Sequence, residues 1–227
     1  METRLSKRLR AVAAFVQRGS RLADVGSDHA YLPLFLVEKG IIHFAVAGEV
    51  VQGPYQSALT NVAQAGKEKL IQVRLANGLA AIQERDRIDT ITIAGMGGRL
   101  IADILEADLA KLAGVRRLIL QPNNREDELR IWLQEQGFQI VAENLVTENH
   151  KFYEILVVEP GSMELTPLEQ RFGPCLLQEK SAVFLAKWQS ELGKLTQSLE
   201  RIPAQHQEDI RLLQDKISAI KEVLDVS

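Results

Sequence analysis

The apolar residues in the first two thirds of the chain occur in short blocks that alternate between strand and helix periodicity. Five runs of aliphatic and β-branched residues predict strands, at residues 21–25, 44–48, 71–75, 88–94 and 117–121. Segments with helical spacing lie between them, at residues 31–39, 56–65, 98–109 and 124–136. Strands that alternate with helices in this way predict βαβ units and a parallel sheet.

The pattern changes after Gly137, where two extended runs at 138–146 and 152–158 follow each other without a helix. The connecting residues 147–151 suit a hairpin. Five alternating strands followed by a hairpin differ from a dinucleotide fold of six parallel strands. We therefore predict an α/β fold whose sheet is mostly parallel, with an antiparallel last strand.

Both ends of the chain add helices. Residues 4–18 have helical spacing of apolar residues. In the tail, two runs with a spacing of three and four residues (185–202 and 210–224) flank Pro203 and predict an antiparallel coiled-coil hairpin of α-helices. We expect two domains, at residues 1–160 and 161–227.

The composition limits the kinds of binding site and the cellular compartment that we expect for this protein. The 227 residues carry a net charge of −3, so a nucleic-acid-binding surface has to be local. The one cysteine excludes an internal disulfide and a cysteine-only zinc cluster, so no metal is expected and a reducing cytoplasm fits. No apolar run resembles a signal peptide or a membrane span, so a cytoplasmic protein without a membrane partner is expected.

The loop after the first predicted strand carries the most informative motif, Asp24-Val-Gly26-Ser27-Asp28. Gly26 permits close approach of a ligand to the backbone. Because the other glycines of Gly-x-Gly-x-x-Gly are absent, the loop lacks the pyrophosphate cradle of a dinucleotide site. Its carboxylates would repel phosphates but suit a sulfonium cofactor with a positively charged amino-acid end. The alternative is an ordinary tight turn.

Three further strand ends point to the same crevice, because ligands of open α/β sheets bind beyond the carboxyl ends of strands. Glu49 lies 23 residues after Gly26, a spacing at which an acidic residue binds a ribose diol, and Val50 follows it. Asn77 and Gly78 could reach an adenine edge, although Asn-Gly is also a common turn. The last of these ends is glycine-rich and comprises Ala94, Gly95 and Met96.

Asn123 follows the fifth predicted strand, where its amide suits a base edge, while Asn124 fits better as a helix cap. The glycine-rich fourth strand end lacks the Asp/Asn-Pro-Pro-Tyr/Phe segment of many methyltransferases that act on an exocyclic amine. That chemistry is therefore disfavoured.

Together, Asp-Val-Gly-Ser-Asp-His-Ala-Tyr-Leu-Pro, Ile-Ala-Gly-Met-Gly-Gly and Leu-Gln-Pro-Asn resemble the bacterial tRNA (adenine-22)-N1-methyltransferase (TrmK) family, in detail over residues 1 to about 160. The resemblance implies a class I methyltransferase (Rossmann-like) domain, S-adenosyl-L-methionine as methyl donor and tRNA as acceptor. N1 of the adenine is then the methylated atom.

The resemblance suggests roles for the motif residues. Asp28 and Asn123 are the candidates to accept a hydrogen bond from the adenine N6 amine. His29 and Tyr31 could stack on or position the base, although a helix-terminal histidine often only caps. The cofactor would contact the residues of the strand-end motifs: Asp24, Gly26, Ser27, Asp28, Glu49, Val50, Asn77, Gly78, Ala94, Gly95 and Met96.

Two basic clusters are candidates for RNA phosphates. One lies near the N-terminus and comprises Arg4, Lys7, Arg8 and Arg10; the other is spaced at sevens on the first tail helix and comprises Lys180, Lys187, Lys194 and Arg201. Residues 161–227 hold 8 basic and 10 acidic side chains, so a solvated helix face is an equal alternative.

Other functions remain open at this point. The same crevice would serve a methyltransferase of another RNA, a protein or a small molecule, or a non-catalytic RNA-binding protein. A nicotinamide oxidoreductase is disfavoured by the missing glycines. The sequence does not decide between a monomer and a weak homodimer.

Overall fold

The computed structural model describes residues 3–203 and 205–225, and the chain divides into two compact units, residues 1–165 and 166–227. Within the described residues of the first unit, one seven-stranded sheet forms the centre. Its strands are β1 Arg21–Val25, β2 Phe44–Glu49, β3 Ile71–Leu75, β4 Thr90–Met96, β5 Arg117–Pro122, β6 Phe138–Glu148 and β7 Lys151–Pro160.

The strand order is β3-β2-β1-β4-β5-β7-β6. The first five strands pair in parallel, and β7 inserts antiparallel between β5 and β6. This confirms the predicted mixed sheet. Because the chain leaves β1 towards β2 on one side and β4 lies on the other, the order reverses at β1, which opens a crevice at the carboxyl ends of β1 and β4.

Helices pack on both faces of this sheet. They are α1 Lys7–Ala13, α2 Tyr31–Glu38, α3 Gln52–Gln64, α4 Gly98–Glu106 and α5 Glu126–Glu135. Neighbouring residues of β5 face opposite sides, since Leu118 and Leu120 belong to one buried cluster and Ile119 to the other. Helices α1, α2 and α3 contribute to the cluster of Ile119, and α4 and α5 contribute to the other.

The observed helix bounds differ from the predicted ones at several ends, including the start of α3 at Gln52 and the end of α4 at Glu106, and two of the differences concern predicted caps or lengths. The predicted helix at 4–18 is only seven residues long, because Ser6 caps its start by accepting from the Leu9 amide at 3.1 Å. Leu5 and Val16 are still buried, without helical backbone. Asn124 does not cap α5. The residue before α5 is Arg125, in the left-handed region at φ 54°, and it makes no side-chain capping bond.

The β6–β7 hairpin closes with a two-residue turn. Glu148 pairs with Lys151, and the intervening Asn149 and His150 have φ values of 51° and 60°. Two left-handed residues in succession define the type I′ turn, whose twist matches that of the strands. The predicted hairpin is therefore present, with strands longer than the sequence runs.

A fully buried ion triad joins α5 to this hairpin. The Arg130 guanidinium donates to Glu143 Oε1 at 2.7 Å and also to Glu154 Oε2. All three side chains are at most 1% exposed. Removal of one member would leave uncompensated charge in the interior.

The second unit contains α6 Pro167–Phe172, α7 Pro174–Glu179, α8 Ala182–Arg201 and α9 Gln207–Leu224. Helices α6 and α7 were not predicted. Helices α8 and α9 run antiparallel, because Lys180, just before α8, pairs with Asp225, just after α9, at 3.2 Å. The Trp188 ring lies 4.4 Å from that of Phe172. Supercoiling of α8 and α9 stays a prediction.

Within residues 3–203 and 205–225, no helix has the length and apolarity needed to cross a membrane. The same residues contain no group of three or more His, Cys, Asp or Glu side chains placed to hold a metal ion.

Candidate active site

The loop after β1 is held against the end of β2 and has unusual backbone geometry. The amides of Gly26 and Ser27 both donate to the Gly48 carbonyl, at 2.9 and 3.1 Å. Gly26 has a φ of 68°, and a Cβ there would lie 2.2 Å from Met96 Cε. The positive φ favours glycine at this position, and a larger residue would also require the flexible Met96 side chain to move.

Three non-glycine residues follow in the left-handed region. Asp28, His29 and Ala30 have φ values of 46°, 72° and 60°. Each such residue costs roughly 1–2 kcal/mol relative to ordinary backbone. Asn61 of α3 supports the loop by donating to the His29 carbonyl at 3.0 Å. Strain of this kind concentrates at functional sites, where the surrounding structure enforces it.

Asp24 lies buried at the base of the loop, 4% exposed. Its carboxylate accepts from Thr92 Oγ1 at 2.5 Å and from Ser27 Oγ at 2.6 Å. Burial raises the pKa of Asp24, and the two hydroxyls and the Arg8 charge oppose this shift. Ser27, predicted to contact a cofactor, thus holds Asp24 through its side chain.

Glu49 ends β2 and is 5% exposed. Its Oε1 is buried and has no hydrogen-bond partner among the described residues. Burial raises the pKa of Glu49, backbone hydrogen bonds from His29 and Asp28 lower it, and the charge of Asp24 raises it further. A buried acceptor without a partner costs about 1–3 kcal/mol, so this oxygen is suited to a ligand hydroxyl.

The opposite side of the crevice is braced by Asn123. Its backbone amide donates to the Met96 carbonyl at 2.7 Å, and its Nδ2 donates to the Gly95 carbonyl at 2.8 Å. Gln121 Nε2 donates to Asn123 Oδ1 at 3.1 Å. The side chain predicted to read a base therefore also shapes the glycine-rich loop, where Gly95 has a φ of 83°.

Arg8 reaches this crevice, which the sequence did not reveal. Its Nη1 donates to Gln121 Oε1 at 2.7 Å, and its guanidinium lies 5.7 Å from the centroid of the Tyr153 ring. A Cβ on Gly95 would be 3.3 Å from Arg8 Nη1. Arg8 is half-buried, unlike Arg4, Lys7 and Arg10, which are exposed.

Helix α1 is held in this position by the β6–β7 hairpin. The two carboxylate oxygens of Glu148 accept from the backbone amides of Lys7 and Arg8, at 2.6 and 3.3 Å. A carboxylate at a helix N-terminus also interacts favourably with the helix dipole. No local signal in the sequence predicts this contact, because Glu148 lies 140 residues after Arg8.

The remaining predicted residues lie around the crevice. Asp28 is 75% exposed, and its Oδ1 lies 3.3 Å from His29 Nε2. The rings of His29 and Tyr31 are 5.6 Å apart. Val50, beside Glu49, is exposed, and Ala94 is half-buried. Asn77 and Gly78 line a cleft of about 290 Å³ together with Leu100 and Ile104.

Only three of the four basic residues of the tail lie on α8 with the predicted spacing of seven, because Lys180 precedes this helix. Lys180 lies in a left-handed turn before α8 begins and pairs with Asp225. Lys187 Nζ lies 5.0 Å from the centroid of the Trp188 ring, and Lys194 pairs with Glu191 at 3.5 Å. Arg201 is the last residue of α8 and is exposed.

The strand order, the antiparallel β7 and the acidic crevice at β1 and β2 define the chain as a class I S-adenosylmethionine-dependent methyltransferase. A family model described as tRNA (adenine(22)-N(1))-methyltransferase, TrmK, matches residues 22–222. The tRNA (adenine(22)-N(1))-methyltransferase of Bacillus subtilis is 41% identical over 99% of this chain and 98% of its own length. The chain belongs to the TrmK family of tRNA (adenine(22)-N(1))-methyltransferases, which confirms the resemblance drawn from the motifs.

Two solved structures with ligands share this fold. Streptococcus pneumoniae Sp1610 in complex with S-adenosyl-L-methionine is 62% identical, with a TM-score of 0.92 over 97% of this chain and 100% of that chain. M. capricolum TrmK in complex with S-adenosyl-homocysteine is 30% identical, with a TM-score of 0.88 over 97% and 98%.

Proposed function

We propose that this protein transfers a methyl group from S-adenosyl-L-methionine to N1 of adenine 22 in tRNA. Membership of the TrmK family supports adenine 22 of tRNA as the methyl acceptor. Support for this donor comes from Glu49 at the end of β2, next to the loop of Asp24 and Gly26, whose buried Oε1 has no hydrogen-bond partner within residues 3–203 and 205–225.

The charges of the crevice fit this donor. Burial is the main cause of the raised pKa values of Asp24 and Glu49, and the charges of neighbouring carboxylates among Asp24, Asp28 and Glu49 raise both values further. Such a cluster disfavours phosphate and favours a positively charged ligand. Arg8 adds one cation on the opposite side, which suits the carboxylate of an amino-acid end.

Each group then has a distinct task. Glu49 accepts from the ribose hydroxyls, and Asn77 with Gly78 flanks the cofactor adenine in the cleft of about 290 Å³. Asp24 and Arg8 hold the amino-acid end. When bound, S-adenosyl-L-methionine supplies a methyl group on a positively charged sulfur.

The target base needs positioning more than activation, because adenine N1 has an in-plane lone pair. Holding two reactants in the correct geometry supplies a large part of the rate enhancement. Asp28, exposed at the mouth of the crevice, accepts from the N6 amine as positive charge develops on the ring. His29, 3.3 Å from Asp28, keeps that carboxylate oriented. The adenine has to leave its stack before N1 is accessible.

The exposed cations Arg4, Lys7 and Arg10 contact tRNA phosphates, and Lys187, Lys194 and Arg201 add contacts from the tail. We place the protein in the cytoplasm, with residues 1–160 as the methyltransferase domain and residues 161–227 as a helical tail that assists tRNA binding.

The proposal is tested by methyl transfer from labelled S-adenosyl-L-methionine to unmodified bacterial tRNA, followed by nucleoside analysis and mapping. N1-methyladenosine at position 22 is the expected product. Retained cofactor binding without transfer to any tRNA would move the acceptor to another RNA, a protein or a small molecule.

A further inference from the structure

A second, larger cleft opens beside the active site, between helices α2 and α3 and the segment that precedes α1. It has a volume of about 610 Å³. Its lining includes Arg4, Tyr31, Leu34, Glu38, Asn61 and Gln64. The cleft begins at Tyr31, the first residue of α2 after the strained loop, and extends to Glu38, the last residue of that helix. It therefore leads from the crevice along α2, away from the carboxyl edge of the sheet.

One wall offers an aromatic surface. Tyr31 is 42% exposed, and it follows directly on the loop that carries Asp28 and His29. Leu34, three residues further along α2, is buried on the same side of the helix. Nucleobases of any sequence stack on such rings.

The facing helix α3 offers amides for a base edge. Asn61 donates through Nδ2 to the His29 carbonyl at 3.0 Å, which fixes its orientation and leaves its amide oxygen as an acceptor. Gln64, three residues later on the same face, is exposed, and its side chain has no hydrogen-bond partner among the described residues. An amide presents both donors and an acceptor, the combination that a base edge requires.

The charges of the cleft select a nucleotide within a chain over a free anion. Arg4 is exposed and makes no ion pair within residues 3–203 and 205–225. Glu38 lies in the same lining and accepts from the Thr3 amide at 2.9 Å. Glu38 repels free phosphate and phosphodiester alike, but a nucleotide whose phosphate contacts Arg4 also carries base and ribose groups that can bond to the carboxylate and the amides, which a free phosphate lacks.

We propose that this cleft binds one nucleotide of the RNA substrate next to the target adenine, an inference that rests on the proposed function. The base stacks on Tyr31 and bonds to Asn61 and Gln64, and its phosphate contacts Arg4. This assigns Tyr31 to the neighbouring base, while the target adenine occupies the crevice at Asp28. The loop of Asp28 and His29 separates the two bases, which holds the target unstacked.

The test combines protein variants with RNA variants. We expect Tyr31→Ala to raise the KM for tRNA about 5- to 100-fold, the range for loss of one base–aromatic stack. Tyr31→Phe keeps the ring and should retain the wild-type KM. Gln64→Ala should raise the KM about 2- to 10-fold. The matched control is Gln56→Ala, an exposed glutamine on the same helix outside the cleft, with an unchanged KM. The Kd for S-adenosyl-L-methionine should stay constant throughout.

Abasic substitutions around nucleotide 22 then identify the bound base. With the wild-type protein, tRNA that lacks one particular base beside nucleotide 22 should show the same increase in KM as Tyr31→Ala does with intact tRNA. With Tyr31→Ala, the same abasic tRNA should show no further increase, because both changes remove the same contact. The cleft assignment would be overturned if Tyr31→Ala and Gln64→Ala both had the wild-type KM. It would also be overturned if each abasic substitution raised the KM of Tyr31→Ala by the same factor as that of the wild type. Neither result would affect the proposed methyl transfer. Absence of methyl transfer by the wild-type protein would overturn the proposed function and this inference with it.

Discussion

Replacement of Glu49 by glutamine should weaken the binding of S-adenosyl-L-methionine. The same replacement should raise the free energy of unfolding of the ligand-free protein. The carboxylate is buried, and Oε1 has no partner among the described residues. Glutamine keeps the shape and one hydrogen-bonding group towards the crevice, but it removes the charge.

The loss of affinity follows from the charge. A hydrogen bond to a charged group contributes about 1.5–3 kcal/mol and a neutral one about 0.5–1.5 kcal/mol. The difference of about 1–2 kcal/mol corresponds to a Kd for S-adenosyl-L-methionine that is about 5- to 30-fold higher. Titration calorimetry measures this directly, with Glu68→Gln, an exposed carboxylate elsewhere on the surface, as the control.

The gain in stability follows from the raised pKa of Glu49, which burial causes and the neighbouring Asp24 charge increases. At a pH below the ordinary glutamate value the carboxyl is protonated in both states and has no effect. As the pH rises, the unfolded state ionises first, so the free energy of unfolding falls until the pH passes the folded-state pKa. Glutamine removes this decrease.

Thermal unfolding without ligand should therefore show Glu49→Gln with a Tm above wild type at about pH 7 and a smaller difference at about pH 4. A variant with wild-type affinity would refute the ribose-binding role. A variant that loses both affinity and stability would show that Glu49 mainly supports the loop of Asp28 and His29.

Three other changes follow from the structure. Arg130→Ala should lower the free energy of unfolding in denaturant titrations by about 3–5 kcal/mol, because two buried carboxylates lose their partner. The control Arg99→Ala removes an exposed ion pair and should change the free energy of unfolding by less than about 1 kcal/mol. Gly26→Ala should weaken cofactor binding in calorimetry, since the φ of 68° is strained for alanine by roughly 1–2 kcal/mol and the Met96 side chain has to move away from the new Cβ, which lies 2.2 Å from its Cε; binding equal to wild type would contradict the role of this loop. Asp28→Ala should raise the Kd for S-adenosyl-L-methionine only slightly, because Asp28 is 75% exposed, but lower the single-turnover rate constant by about 10- to 1,000-fold; an unchanged rate constant would remove Asp28 from catalysis.

Much of the first unit followed from local patterns. The strands β1 and β3 have the predicted bounds, Arg21–Val25 and Ile71–Leu75, because β1 is largely apolar and β3 alternates apolar and polar residues. The mixed sheet followed from the order of elements, since parallel strands need crossover helices and a hairpin pair does not. The crevice followed as well, because strand ends converge where the order reverses.

The sequence by itself thus determined the elements, the fold class and the acidic loop that marks the site. Tertiary structure alone decided which distant groups meet there. Arg8 enters the crevice because Glu148 holds the start of α1, a contact across 140 residues that no periodicity encodes. The cleft of Tyr31 and Gln64 likewise exists only once α2 and α3 pack on the same face of the sheet. Periodicity reports which residues face a core, whereas long-range polar contacts depend on how the assembled faces are placed.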